Sequence, residues 1–182
     1  MQKIVLVRHA AATGQDADAP LTSEGRLQAN ALAELLLPFQ IQRVISSPFV
    51  RATESVGPFC KRAGLVVETD PRLVERVLSA RNLPDWRDHL RRSFDDLDYR
   101  LEDGEASRTA RDRGVSAVRA ALGSGQRCVV VTHGNLLALI LKSVDPTVGF
   151  DLWLRLSNPD AFVLHVDSEG AKRFSRIWNQ AS

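Results

Sequence analysis

Lys3-Ile4-Val5-Leu6-Val7-Arg8-His9 is an apolar run that leads directly into an arginine and a histidine. A second apolar run, Cys128-Val129-Val130-Val131-Thr132, leads in the same way into His133. Short runs rich in β-branched residues predict strands that are buried on both faces, as in a parallel sheet. In open α/β sheets, ligands bind outside the carboxyl ends of such strands. We therefore expect both histidines to face one site, and the adjacent arginine favours an anion there.

Strands and helices alternate along the rest of the chain. Residues 43–46 and 65–68 predict two further strands, and residues 161–166 and 173–178 predict a terminal hairpin. Thr22 or Ser23 can cap a first helix that ends before Pro38. The apolar positions that give this helix its 3.6-residue period are Leu27, Ala31, Leu32, Leu35 and Leu36.

Three further helices are predicted, and together with the strands they define a fold class. Ser47-Pro48 predicts the start of a helix that runs to about Gly64, and two more helices are expected over about 105–122 and 135–143. Helical crossovers between strands imply an α/β fold, namely a three-layer α/β/α sandwich with a mostly parallel central sheet. We expect one domain over residues 1–182, in which residues 70–104 are either a lid or cap segment or a solvated face.

Composition excludes several functional classes. The chain has 182 residues, 44% hydrophobic and 25% charged, and its net charge of +2 gives no general field for nucleic acid or an anionic membrane. No run approaches the roughly 18 apolar residues of a membrane span, and no secretory leader precedes the first strand. Cys60 and Cys128 have no metal or redox spacing. These features predict a cytoplasmic protein without a nucleic-acid or membrane partner, and they leave its oligomeric state open.

The charged residues around the two strand ends suggest phosphoryl transfer. A phosphoryl group in transit carries negative charge on its non-bridging oxygens, which fixed cations stabilise. Arg8 is one such cation, and Arg51, in the opening turn of the helix after Ser47-Pro48, is another. His9 can attack phosphorus through a ring nitrogen, and His133 can donate to the same oxygens. A carboxyl group near a bound dianion favours its protonated form and can protonate the leaving group.

At these residues the sequence resembles the histidine phosphatase superfamily, on its phosphoglycerate mutase-like branch. The matching segments occur in the family's order over roughly residues 3–145, and a chance match of all of them is improbable. They are Leu6-Val7-Arg8-His9-Ala10, Leu21-Thr22-Ser23-Glu24-Gly25-Arg26-Leu27-Gln28-Ala29, Ser46-Ser47-Pro48-Phe49-Val50-Arg51-Ala52-Thr53-Glu54-Ser55, Leu73-Val74-Glu75-Arg76, Gly104-Glu105-Ala106 and Val131-Thr132-His133-Gly134.

The resemblance implies a role for each site residue. His9 would be phosphorylated, Arg8, Arg51 and His133 would bind the phosphoryl group, and Glu75 would donate the proton. The hydroxyl of Thr13 is a further candidate for substrate binding, and Asn135 either reaches the substrate or only caps the helix that it opens. The activity implied is a metal-independent phosphatase that acts on a small phosphorylated substrate without a cofactor.

The sequence departs from the family pattern in ways that leave alternatives open. Ala10 stands where the family has glycine, and residues 77–81 lack the glycines that usually follow the acid, so Glu105 is the reserve proton donor. The short chain lacks the substrate-gripping asparagine and arginine and the insertions of mutases, which favours a phosphatase over a phosphoglycerate mutase-type transferase. A third alternative is a catalytically degenerate protein that binds a phosphorylated ligand without turnover.

Overall fold

A computed structural model describes residues 2–170 and 172–178 of the chain. Its centre is one six-stranded sheet in the order β3-β2-β4-β1-β5-β6. The strands are β1 (Gln2–Arg8), β2 (Arg43–Ser46), β3 (Val67–Thr69), β4 (Cys128–Thr132), β5 (Asp160–Val166) and β6 (Lys172–Arg176). The pairs β3-β2, β2-β4 and β4-β1 are parallel, whereas β5 is antiparallel to both of its neighbours.

Within the described residues, six helices cover the two faces of the sheet. They are α1 (Ser23–Leu36), α2 (Val50–Ala63), α3 (Trp86–Asp95), α4 (Ser107–Gly123), α5 (Gly134–Lys142) and α6 (Phe150–Leu154). Single 3₁₀ turns lie at Leu37–Phe39 and Pro71–Leu73. Helices α1 and α2 pack on the face that carries Val5 and Val7, and the other helices pack on the face that carries Ile4 and Leu6. The predicted three-layer sandwich with a mostly parallel sheet is confirmed.

Local capping explains where the first helix begins. Thr22 is the N-cap of α1, because its hydroxyl accepts a hydrogen bond from Gly25 N at 2.9 Å. The helix ends at Leu36, and Pro38 lies in the 3₁₀ turn that follows. Leu27 and Ala31 do not belong to the buried stripe that the sequence predicts, since both are exposed, Leu27 at 67%. The other side of α1 supplies Leu32 and Leu36 to the core.

Two predicted boundaries and one unassigned region are corrected. Helix α2 begins at Val50 rather than at Ser47-Pro48, and its N-cap residue is Phe49. Strand β3 covers 67–69 rather than 65–68. Residues 70–104, which the sequence left unassigned, contain α3, whose Leu90 and Phe94 are buried against the core.

Candidate active site

Three strands bring their carboxyl ends together at one edge of the sheet. In the order β2-β4-β1, Ser46 pairs with Val131 and Arg8 pairs with Thr132, so the residues that follow these strands emerge side by side. Those residues are Ser47, His133 and His9. The parallel sheet thus places the two predicted histidines at one site, and their ring centroids lie 5.1 Å apart.

His9 is held in one orientation by its own backbone and by Arg51. Its Nδ1 lies 2.7 Å from Ala10 O, and a ring proton on Nδ1 donates there. Arg51 Nε donates to His9 Nε2 at 3.2 Å, so the lone pair of the ring is on Nε2 and accepts this bond. Burial lowers the pKa of His9 to about 4, although the bond to Ala10 O raises it, and the charges of Arg51 and Arg8 lower it further. The ring is therefore neutral at neutral pH.

Arg51 extends from the first turn of α2 into the site and is 1% exposed. Its Nη1 donates to Gln15 O at 3.0 Å and to Asp16 O at 2.7 Å, in the loop that follows β1. The guanidinium carbon lies 4.9 Å from the centre of the Phe49 ring. Burial lowers the pKa of Arg51, and the negative charge of Glu75 raises it. These contacts fix the guanidinium plane beside the His9 ring.

Arg8 is fixed in a similar way by a different loop. Its Nη1 donates to Leu156 O at 3.0 Å and to Ser157 O at 3.3 Å. Its Nε is buried and has no hydrogen-bond partner among the residues that the structure describes. Burial lowers the pKa of Arg8, whereas the charges of Glu75 and Asp160 raise it. In both arginines, Nη1 donates hydrogen bonds to two main-chain carbonyls. These bonds hold the rest of each guanidinium group at the site.

Ser47 contacts His133, a relationship that the sequence analysis missed. His133 Nε2 lies 2.8 Å from Ser47 Oγ, which also accepts a hydrogen bond from Phe49 N at 3.3 Å. Phe49 packs edge-on against the His133 ring, with centroids 5.0 Å apart. His133 Nδ1 is buried and makes no hydrogen bond within the described part of the chain. Burial first, and then the neighbouring His9 and arginines, lower the pKa of His133 well below its usual value.

Glu75 follows the 3₁₀ turn at Pro71–Leu73, and its carboxylate lies at the amino end of α5. Its Oε1 accepts hydrogen bonds from Arg76 N at 2.8 Å and Leu136 N at 3.0 Å, and its Oε2 accepts one from Asn135 N at 3.0 Å. A helix N-terminus with free N–H groups favours an anion, which explains why the carboxylate sits there. Both polar atoms of the Asn135 side chain, Oδ1 and Nδ2, are buried and have no hydrogen-bond partner among the described residues.

The other two candidates from the sequence are engaged elsewhere. The Glu105 carboxylate forms a bidentate ion pair with Arg113, with Nε–Oε1 and Nη2–Oε2 distances of 2.8 Å. Thr13 is exposed, and its hydroxyl donates to Pro20 O at 3.2 Å within its own loop. The structure therefore brings five of the candidates close enough for their charges to affect one another's pKa values, namely His9, Arg8, Arg51, His133 and Glu75. Glu105 and Thr13 instead have the local partners given above.

The family model described as the histidine phosphatase superfamily, branch 1, matches residues 4–181. The chain belongs to this superfamily. The resemblance inferred from the six sequence segments is thereby confirmed, and with it the expectation of a histidine phosphatase.

Relatives and solved structures extend this result. A protein of Escherichia fergusonii named probable phosphoglycerate mutase GpmB is 29% identical, and the match covers 98% of this chain and 90% of that protein. A mycobacterial glucosyl-3-phosphoglycerate phosphatase, solved with VO3, has a TM-score of 0.80 at 23% identity and 100% coverage of both chains. A phosphoserine phosphatase from Entamoeba histolytica has a TM-score of 0.78 at 16% identity, covering 99% and 98% of the two chains. The predicted phosphoglycerate mutase-like fold is confirmed.

Within 2–170 and 172–178, no group of three or more His, Cys, Asp or Glu side chains is arranged to hold a metal ion. Among the helices of these described residues, none has the length and apolar character needed to cross a bilayer.

Proposed function

We propose that this protein hydrolyses phosphomonoesters through a phosphohistidine on His9. The contact that supports the proposal most directly is the one between Arg51 Nε and His9 Nε2, at 3.2 Å. It supports a neutral ring whose lone pair is on Nε2, next to a guanidinium that can turn to the phosphoryl oxygens and so release that lone pair for attack. The bond from Nδ1 to Ala10 O keeps the ring proton on Nδ1, so Nε2 can act as the nucleophile.

The first step breaks the ester bond. His9 Nε2 attacks phosphorus, a P–N bond forms, and the P–O bond to the leaving group breaks. Arg8, Arg51 and His133 Nδ1 bind the non-bridging oxygens, whose charge is balanced by the two guanidinium groups. The protonated carboxyl of Glu75 gives its proton to the leaving alkoxide, so that the product departs as an alcohol.

The second step restores the enzyme. Water attacks the phosphorus of phosphohistidine, and the Glu75 carboxylate accepts one of its protons. The P–N bond then breaks, and inorganic phosphate leaves while the ring returns to its neutral form. Thr13 and Asn135 would contribute to substrate binding. The unpartnered amide of Asn135, next to Glu75, supports that role better than the local bond of Thr13 does.

A small phosphorylated metabolite is the expected substrate. The solved neighbours are named as phosphatases of glucosyl-3-phosphoglycerate and of phosphoserine, both small phosphorylated molecules. Phosphoglycerate mutase-type transfer is the second candidate, and the name of the Escherichia relatives favours it. The two reactions differ in whether phosphohistidine passes its phosphoryl group to water or to a second hydroxyl of the substrate.

The direct test measures hydrolysis of an aryl phosphate by the purified protein in the presence of a chelator. We expect turnover in the wild type, release of inorganic phosphate, and transient phosphorylation of His9 detected by mass spectrometry after rapid quenching. His9→Ala is expected to abolish all three, and His165→Ala, at the opposite end of the sheet, is expected to leave them unchanged. Turnover that survives His9→Ala would overturn the mechanism. Binding of a phosphate ester with neither formation of phosphohistidine nor release of inorganic phosphate would indicate a ligand-binding protein instead.

A further inference from the structure

The turn between α6 and β5, residues 155–159, contacts Arg8 directly. Two successive carbonyls of this turn, Leu156 O and Ser157 O, accept hydrogen bonds from Arg8 Nη1 at 3.0 and 3.3 Å. Main-chain carbonyls have no side-chain freedom, so the orientation of the guanidinium depends on the conformation of the turn. A shift of the turn would therefore move Arg8.

The same turn contacts His9. Asn158 Nδ2 donates to His9 O at 2.8 Å, and His9 N donates to Thr132 O at 3.0 Å. The main chain of His9 is therefore held on both sides, by β4 and by Asn158. The turn is thus hydrogen-bonded to both Arg8 and His9.

Asp160 determines the conformation of the turn. It is fully buried, at 0% exposure, and its carboxylate accepts hydrogen bonds from Ser157 N at 3.0 Å and Ala161 N at 2.9 Å. Arg176 on β6 donates to both of its oxygens, at 2.9 and 2.6 Å, and also to Ser157 Oγ at 3.2 Å. A buried carboxylate with this many donors is tightly oriented, and removing one partner is costly.

The charge of Asp160 also acts on Arg8. The two residues are directly paired across β1 and β5, and the carboxylate raises the pKa of the buried Arg8, against the effect of burial. Asp160 thus supports Arg8 both by electrostatic attraction and through its hydrogen bond to Ser157 N, because that N–H lies in the same peptide group as Leu156 O, which Arg8 contacts. Neither Asp160 nor Asn158 has a role in the reaction described above.

We propose that Asp160, Arg176 and Asn158 are positioning residues that hold Arg8 and His9 in the geometry for phosphoryl transfer. The inference rests on the proposed function of Arg8 and His9. Asp160 with Arg176 orients Arg8, which binds phosphate in the ground state as well as in the transition state. Asn158 orients His9, which acts only in the chemical step. Displacing a reacting group by about 1 Å lowers a rate on the order of a hundredfold, so these contacts should be visible in kinetics.

The test compares Asp160→Asn and Asn158→Ala with the wild type at a temperature well below every unfolding midpoint. Asp160→Asn keeps the size of the side chain but removes its charge, so we expect weaker inhibition by inorganic phosphate and a higher KM. Asn158→Ala is expected to lower kcat and the single-turnover rate of phosphohistidine formation, with little change in KM. Arg176→Lys should retain more activity than Arg176→Ala, because it keeps a positive charge beside Asp160.

Two controls separate positioning from stability. Leu164→Ala creates a cavity in β5 away from the turn, and it should lower the unfolding midpoint without changing kcat or KM. Glu68→Gln breaks an exposed bidentate pair with Arg43 and should change neither activity nor phosphate inhibition. If Asp160→Asn does not fold, Asn158→Ala and the two Arg176 variants still decide the question. Turn variants that lower only the unfolding midpoint, while the wild type hydrolyses phosphate esters through His9, would overturn the inference and leave the proposed function intact.

Discussion

Arg51 Nε donates to His9 Nε2 at 3.2 Å, so an arginine lies against the ring nitrogen that would attack phosphorus. A protonated ring could not accept this bond, because both of its nitrogens would be donors. The contact therefore selects the neutral ring and exposes it to a fixed positive charge. When a phosphoryl group binds, its oxygens can take over the Arg51 N–H group and free the lone pair of His9.

The pKa of His9 is the first measurable consequence. Burial and the two arginines hold it at about 4. We expect NMR titration of the free protein to show His9 neutral throughout the range above pH 5. In Arg51→Gln the pKa should rise, because a positive charge that lowers it has been removed. Arg43→Gln, on an exposed pair far from the site, should not move it. A wild-type His9 that titrates near 6.5 would contradict the electrostatic description of the site.

The same shift predicts how stability depends on pH. The unfolded His9 has a pKa near 6.5 and the folded one about 4, so between these values the unfolded state binds more protons. Stability is therefore lost as the pH falls through this window, by about 3 kcal/mol from His9. The lowered pKa of His133 acts with the same sign. Urea unfolding at several pH values between 4.5 and 7 gives the free energy of unfolding as a function of pH. We expect this free energy to change less steeply with pH in His9→Gln than in the wild type, and equal pH dependences would refute the prediction.

The sequence predicted the main elements of the site because its signals are local. A strand that ends in Arg8-His9 and another that ends in His133 must meet at one sheet edge if both strands are parallel and adjacent. Ala10, which departs from the family pattern, also has an explanation. Among the described residues, only Gln40 combines a positive φ with a side chain, so the backbone at Ala10 needs no glycine.

The contacts that could not be predicted join segments far apart in the chain. Ser47-Pro48 has the local pattern of a helix start, but the His133 side chain, 86 residues away, engages the Ser47 hydroxyl. Asp160 and Arg176 bear no motif, and their effect on Arg8 depends on the pairing of β5 with β1 and β6. Residues 70–104 were unassigned because α3 is strongly charged and has only a narrow buried stripe, with Leu90 and Phe94 facing the core.

Replacing Glu75 tests the choice of proton donor. We expect Glu75→Gln to slow hydrolysis of alkyl phosphates on the order of a hundredfold or more, because their alkoxides need a proton to leave. An aryl phosphate with a stable phenolate leaving group should lose much less in the phosphorylation step. The measurement is the rate of phosphohistidine formation for a series of leaving groups of increasing pKa.

The control for Glu75→Gln is Glu105→Gln, which removes the other candidate acid. Its carboxylate is paired with Arg113, so we expect little change in the dependence on the leaving group. If the rate of phosphohistidine formation depended steeply on leaving-group pKa in Glu105→Gln and as in the wild type in Glu75→Gln, Glu105 would be the proton donor instead of Glu75.

Gly134 tests how closely Arg8 must be placed. A Cβ at this position would lie 3.0 Å from Arg8 Nε and 3.1 Å from Arg8 Cζ, so Gly134→Ala must push the guanidinium away by a few tenths of an ångström. Because Arg8 is also held by the carbonyls of Leu156 and Ser157, it cannot retreat without straining those bonds. We expect kcat/KM to fall about tenfold, with weaker inhibition by inorganic phosphate. Gly123→Ala, where a Cβ meets no atom within 4 Å, should keep full activity. Equal activity of both variants would show that Arg8 tolerates displacement, and the close approach of the α5 backbone would then serve packing rather than phosphate binding.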